Sequence, residues 1–339
     1  MLIKQSLMPS LFISVLFVSP FSVCIADEAK TSTVTPEQVV QAIEKTFGVT
    51  QGERRNHTKG VCAVGEFVGI PAVAEPYSRS ALFSGEKIPV VARFSLAGGN
   101  PHAPDTAKSP RGMALEFKLP AGGLQHMTML NTPIFGAAQP QTFFDAIQAA
   151  QPDPTTGKPD PEKIKAFKAS HPDSAAQGAF LASHNPPSSY ANSSFWGIHT
   201  FKFINKADKT TLVRWQFVPK AGEKPLSDDM LKSAPTDFLE QTLIEQVKQA
   251  PAHWNMIVTI GVAGDVEDNP SIAWPDEREK INVGTLTITN AMPQKGADCE
   301  KVNYDPLVMS DGIAASNDPI LRFRSPAYAI SFAKRLSNQ

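Results

Sequence analysis

The chain has 339 residues, with 32 lysines and arginines against 33 aspartates and glutamates. That near-neutral balance gives no electrostatic grip on nucleic acid or on an anionic membrane. Scattered histidines and 3 cysteines exclude a zinc or iron–sulfur cage, and no glycine-rich phosphate loop or Gly-x-Ser-x-Gly elbow is present.

Residues 1–26 read as a secretory signal peptide: Lys4, the short apolar run LFISVLFVSPFSVCIA ending at Ala26, then the charged DEAK. The run is broken by Ser19-Pro20 and is too short to span a bilayer, and no later apolar stretch reaches about 18 residues. The sequence therefore predicts a periplasmic or secreted protein with no membrane anchor. Residues 27–339 contain no polar linker long enough to divide them, so they are read as a single domain.

The first folded element is a helix in 35-TPEQVVQAIEKTFG-48. Thr35 is its N-cap, Pro36 its first residue, Gln38 completes a capping box, and Gly48 ends it. Val39, Val40, Ile43 and Phe47 share one face, which predicts docking on the domain that follows. Between residues 60 and 136 the pattern turns strand-like, in VGEFVGI, IPVVARFSL, GMALEFKLP and HMTMLNTPIF. Residues 139–186 carry helical pieces broken by proline-rich turns. Strands return in 197-GIHTFKFIN-205 and 210-TTLVRWQFVP-219, and after the helix 237-DFLEQTLIEQVKQA-250 in 254-WNMIVTIGVA-263 and 281-INVGTLTITN-290. The last element, 318-DPILRFRSPAYAISFAKRL-336, opens on an Asp-Pro helix start. Strands on both sides of a helical insert predict an α+β fold, an antiparallel sheet or barrel with helices grouped beside it.

Three features carry chemistry. His57 stands among Arg54, Arg55 and Lys59 at the edge of a core strand, which suits either a surface turn or a proton-transfer group beside an anion. Arg324 and Tyr328 lie four apart, so a helix puts them on one face. On spacing alone they are a surface pair; a guanidinium favours a phenolate, and a ferric ion on the oxygen would deprotonate it outright. Cys62 and Cys299 could bridge in an oxidising compartment, but the buried strand around Cys62 favours a free thiol acting as a small apolar residue.

Seven motifs then occur in order: 54-RRNHTKGVCAVGEF-67, 76-PYSRSALFSGEKIPVVARFSLAGG-99, 109-SPRGMALEFK-118, 131-NTPIF-135, 197-GIHTFKFIN-205, Tyr304-Asp305-Pro306 with Gly312-Ile313 and Ser316-x-Asp318, and Arg324-x-x-x-Tyr328. Together they resemble the haem catalase family over residues 50–336. The resemblance implies a closed antiparallel β-barrel with helices packed beside it and a haem, of the b type, buried between barrel and helices. It implies that His57 is the acid–base group above the haem and that Ser95 orients it. Arg54, Arg93 and Arg335 would hold the propionates, and Phe135 and Phe143 would line the distal side, although core packing competes for both phenylalanines. Tyr328 would be the axial ligand of ferric iron, with Arg324 as its charge partner.

Departures from the family pattern redirect the expected activity. Catalases carry two asparagines before Thr-Pro-Ile-Phe, and here the pair is Leu130-Asn131. Adjacent strand residues face opposite ways, so Asn131 cannot replace its neighbour without a register slip. Asn56 stands in place of an apolar valine, and Pro326, inside the Arg324–Tyr328 interval, could kink the helix. The chain ends 11 residues after Tyr328, without the C-terminal helices and nucleotide-binding region of full-length catalases, which resembles the small secreted catalase-related peroxidases. A haem edge left open in this way implies hydrogen peroxide as oxidant and small organic electron donors as reductants. A small true catalase and a haem-binding protein without turnover are the alternatives, and a homo-oligomer stays open.

Overall fold

The computed structural model describes residues 34–339, which form one compact unit. The expected leader over residues 1–26 lies outside them. Helix α1 (Pro36–Phe47) starts as its sequence dictates: Thr35 Oγ1 accepts from Gln38 N at 3.3 Å, and Gln38 Oε1 accepts from Thr35 N at 2.8 Å. Next come β1 (Gly60–Gly69), the one-turn α2 (Pro71–Ala74), β2 (Lys87–Leu96), β3 (Arg111–Lys118) and β4 (Leu124–Leu130). The helical insert holds α3 (Pro140–Ala149), α4 (Pro161–Ser170) and α5 (Ala175–Ser183), each piece separated by prolines. There follow β5 (Phe195–Trp196), β6 (Phe201–Ile204), β7 (Thr210–Pro219), α6 (Asp228–Ser233), α7 (Phe238–Gln249), β8 (Ala252–Ile260) and β9 (Lys280–Pro293). The chain closes with α8 (Asp298–Lys301), β10 (Ile313–Ala315) and α9 (Pro319–Leu336).

Antiparallel pairing runs β7–β5–β4–β3–β2–β1–β9–β8, and β8 pairs back with β7, so eight strands close into a barrel. β6 continues along the edge of β7, and β10 pairs with β6. Closure leaves those eight strands without an open edge. Alternation sorts the two faces. Phe94, Met113, Leu115, Phe117 and Met129 fill the interior with Phe67, Phe195, Phe217 and Trp254. The opposite parity of the same strands, Arg93, Ser95, Gly112, Ala114, Thr128 and Leu130, faces outward, and α1 packs against α9 beside it. The antiparallel closed barrel expected from the resemblance is present.

Two expected strands are shorter. The segment from residue 197 is extended strand only over Phe201–Ile204, because Ile198 takes a left-handed φ of 51°. β4 stops at Leu130, where Asn131 turns to pair with the backbone of Arg111: its N donates to Arg111 O at 2.8 Å and its Oδ1 accepts from Arg111 N at 2.7 Å. Helix α9 runs unbroken through Pro326, which sits on its exposed side.

The free thiol expected at Cys62 is corrected. Cys62 and Cys299 are disulfide-bonded with their Cα atoms 5.6 Å apart, and both are buried. The strand places Cys62 on the outward face of the barrel, not in its interior, beside Val91 and Tyr304, and α8 lies over it. The bridge ties residues 237 apart in sequence, and closing so long a loop contributes about 2–4 kcal/mol. Cys62→Ser should lower unfolding free energy by that amount in urea titrations under non-reducing conditions, and a reductant should erase the difference from wild type.

Candidate active site

One cavity lies between the outward face of β2–β4 and helices α1 and α9. On the barrel side the ladder aligns Gly60, Ser95, Gly112 and Leu130 in one row and Cys62, Arg93, Ala114 and Thr128 in the next. Small residues at Gly112 and Ala114 leave a flat floor. His57 enters from the loop before β1, with Nδ1 2.9 Å from Ser95 Oγ. Its backbone is left-handed, with φ 55°, a conformation that costs about 1–3 kcal/mol for a residue with a side chain. Its neighbours offset that cost: His57 N donates to Asn56 Oδ1 at 2.9 Å, and Arg93 Nη2 donates to His57 O at 2.7 Å. Burial first, then the charges of Arg93, Arg324 and Arg54, hold its imidazole at a pKa of about 3. The ring is neutral at any ordinary pH.

Gly112 is required by this arrangement. A Cβ there would stand 2.8 Å from Ser95 Oγ and 3.1 Å from both Cε1 and Nδ1 of His57. Gly112→Ala should break the His57–Ser95 contact and lower activity by about tenfold to a hundredfold, while circular dichroism remains that of wild type.

Tyr328 lines the same cavity from α9. Arg324, one turn earlier, donates from Nη2 to Tyr328 Oη at 2.7 Å and to Thr128 Oγ1 at 2.6 Å, and its Cζ lies 5.3 Å from the tyrosine ring centroid. Two further residues hold Arg324. His199 Nε2 is 3.0 Å from Arg324 Nη1, and His199 Nδ1 is 2.7 Å from Asp318 Oδ2. Burial pushes the His199 pKa down against the pull of Asp318. A neutral ring fits both contacts: Nδ1–H donates to Asp318, and Nε2 accepts from Arg324. Asp318 Oδ1 meanwhile caps α9, accepting from Ile320 N and Leu321 N.

A third group gathers at one end of the cavity. Arg54, Arg93 and Arg335 all line it; burial lowers all three, and neighbouring arginines add to the shift at Arg54 and Arg93, so that Arg54 falls to about 8 and Arg93 to about 10. Arg54 Nη2 donates to the carbonyls of Cys299 and Val302, at 2.9 and 3.0 Å. Arg93 is largely committed to Gln294 Oε1 and to the carbonyls of His57 and Thr58. Arg335 Nη1 is buried with no partner among the described residues. Apolar walls complete the space, with Val39, Val40 and Ile43 from α1, Leu130, and the Phe135 and Phe143 rings, whose centroids are 5.7 Å apart.

The family model described as Catalase matches residues 34–339. The chain belongs to the catalase family. It is 61% identical over 302 residues to a catalase-related peroxidase of Synechococcus elongatus, with 89% of each chain covered. A catalase-related peroxidase of Mycolicibacterium paratuberculosis is 32% identical, with 89% of this chain and 95% of that one covered. Among solved structures, a bacterial catalase superposes with a TM-score of 0.77 at 25% identity over 85% of this chain and 58% of the other. Catalase A from Saccharomyces cerevisiae gives the same score at 24% identity, over 85% and 62%. The chain therefore spans about three-fifths of those larger catalases.

Catalases are haem proteins, and the donor set here fits a haem. A phenol backed by a guanidinium can ligate a ferric ion, the unpaired Arg335 Nη1 and two lowered arginines call for carboxylates, and a floor of Gly112 and Ala114 admits a flat ring. Every residue singled out in the sequence as a catalase site residue lines this one cavity: His57, Ser95, Arg54, Arg93, Phe135, Phe143, Arg324, Arg335 and Tyr328. The sequence reading missed Thr128, His199 and Asp318 as a group. In the sequence His199 belongs to one catalase-like motif and Asp318 to another that also opens a helix, and only an Asp cap with a second oxygen to spare hints that the two pair. Leu130 lines the cavity, as its place in the ladder requires, while Asn131 is spent on the Arg111 backbone.

Proposed function

We propose that this catalase-family chain is a haem peroxidase that reduces hydrogen peroxide, and organic peroxides small enough to enter, with small organic molecules as electron donors. The observation that carries it is a single cavity holding the His57–Ser95 pair and the Arg324–Tyr328 pair. The names of the two catalase-related peroxidases, at 61% and 32% identity, point the same way. Tyr328 Oη would ligate the ferric iron of haem b, Arg324 would hold that oxygen anionic, and Arg54, Arg93 and Arg335 would bind the propionates. Among the described residues no three His, Cys, Asp or Glu side chains converge on a bare metal ion, so the remaining iron ligands would come from the porphyrin. A haem held there supplies the redox chemistry, accepting oxidising equivalents from peroxide and passing them to donors.

The protein supplies the proton traffic. With Nδ1–H donating to Ser95 Oγ, His57 Nε2 is left as a base facing the cavity. It takes the proton from one peroxide oxygen and delivers it to the other, so that the O–O bond breaks heterolytically and water leaves. Leu130 in the wall offers no polar group to arrange a second peroxide as a reductant, which favours organic donors. The Cys62–Cys299 bridge and the leader-like first 26 residues support export to an oxidising compartment, periplasmic or secreted.

The test is a steady-state comparison on haem-loaded protein. Oxidation of a phenol or aromatic amine by hydrogen peroxide should outrun oxygen evolution. Oxygen evolution running ahead at every donor concentration would replace this reading by that of a small true catalase.

A further inference from the structure

Asn56 precedes His57 and lines the cavity, yet the proton transfer just described gives it nothing to do. Its Oδ1 accepts two backbone hydrogen bonds, from His57 N at 2.9 Å and Gly98 N at 2.8 Å. A backbone N–H can only donate, so these partners fix which end of the amide is oxygen. Both acceptor sites of that oxygen are filled. Nδ2 is the opposite end of a planar, clamped group, and among the described residues it donates to none. The amide cannot turn over without leaving two backbone N–H groups facing an NH2.

The surroundings make that donor distinctive. Ser95 Oγ is occupied by His57, and Leu130, two places along the same ladder row, presents only methyl groups. Gly112 between them has no side chain. Arg324 donates to both Thr128 Oγ1 and Tyr328 Oη. Beside the imidazole, the Asn56 amide offers a donor, Nδ2, that is fixed in place by the two bonds at its oxygen and has no partner among the described residues.

We propose that Asn56 Nδ2 donates a hydrogen bond to the small ligand seated next to His57: the peroxide oxygen that must accept negative charge as the O–O bond breaks, or a small anion in its place. This rests on the haem peroxidase reading. The same side chain thus sets two things at once, the left-handed backbone of the base through Oδ1 and the placement of the substrate through Nδ2. Asn56 is accordingly a substrate-contacting residue, and its Oδ1 clamp means that base and donor move as one unit.

Two substitutions separate the roles. Asn56→Asp keeps an oxygen for His57 N and Gly98 N and removes the donor; Asn56→Val removes both without adding charge. With ferric haem loaded, fluoride binding is followed by optical titration, the peroxide reaction by stopped flow, and stability by thermal melting. If Nδ2 is the donor, Val raises the fluoride dissociation constant by about tenfold to a hundredfold. Both variants then slow the second-order reaction with peroxide by a similar factor, and Asp melts with wild type. An Asp variant that reacts with peroxide at the wild-type rate overturns the assignment and leaves Asn56 as a loop clamp. So does a Val variant with unchanged fluoride affinity. A wild-type chain that takes up no haem overturns this inference together with the wider reading, whereas haem-loaded wild type indistinguishable from its variants overturns this inference alone.

Discussion

His57→Ala should slow peroxide consumption by on the order of a hundredfold or more while haem uptake is retained. No other group at that end of the cavity can replace the base. Ser95 is its partner, Gly112 is bare, Leu130 is apolar, and the Asn56 amide is no base, its oxygen already accepting from two backbone N–H groups. Burial, reinforced by Arg93, Arg324 and Arg54, holds the ring's pKa at about 3 against an ordinary 6.5, so it is in the basic form wherever the fold survives. The same shift has a stability consequence of fixed sign. Between pH 6.5 and 3 the unfolded chain binds a proton at His57 that the folded chain refuses, so stability present above pH 6.5 is lost as pH falls. The alanine variant should therefore show a shallower acid limb in melting temperature against pH than wild type. Single-turnover mixing with peroxide reads the catalytic loss, and an unchanged rate would remove His57 from the mechanism.

How far such a site could be read without coordinates depends on how locally each part is encoded. Thr35, Gln38 and Asp318 cap their helices through contacts two or three residues away, so the sequence alone places them. Arg324 and Tyr328 are set by one turn of helix, and Leu130 and Asn131 by strand parity. Other parts are decided by pairings across the barrel. The ladder brings Ser95, Gly112 and Leu130 into one row from three strands. The His199–Asp318 contact spans 119 residues, and nothing near either residue announces the other. Cys62 was misread because a buried position was taken for an interior one; burial on the outward face under α8 looks the same in a pattern of apolar residues. The repeated Phe-x-Ala-Ser-His at 167–171 and 180–184 also escaped notice. In both copies the serine Oγ lies within 3.0 Å of the histidine Nδ1 and the histidine stacks on the phenylalanine, ending α4 and α5 alike.

Tyr328→Phe should weaken haem retention by more than about a hundredfold, and whatever haem remains should lack the absorption of a phenolate on ferric iron. The substitution removes one oxygen and little else. The ring keeps its place under the Arg324 guanidinium, 5.3 Å from its centroid, and Arg324 keeps Thr128 and His199. The fold should therefore melt close to wild type without haem, which confines the effect to ligation. Arg324→Gln supplies the complementary measurement. It leaves the phenol in place but strips the donor 2.7 Å from its oxygen, so haem should still bind, with an altered spectrum, and bind more weakly. The order of retention, wild type above Arg324→Gln above Tyr328→Phe, follows from a ligand oxygen made anionic by its neighbour. Equal retention in all three, measured by transfer of haem to an apoprotein acceptor, would mean that the arginines and the apolar walls hold the ring and that Tyr328 does not ligate it.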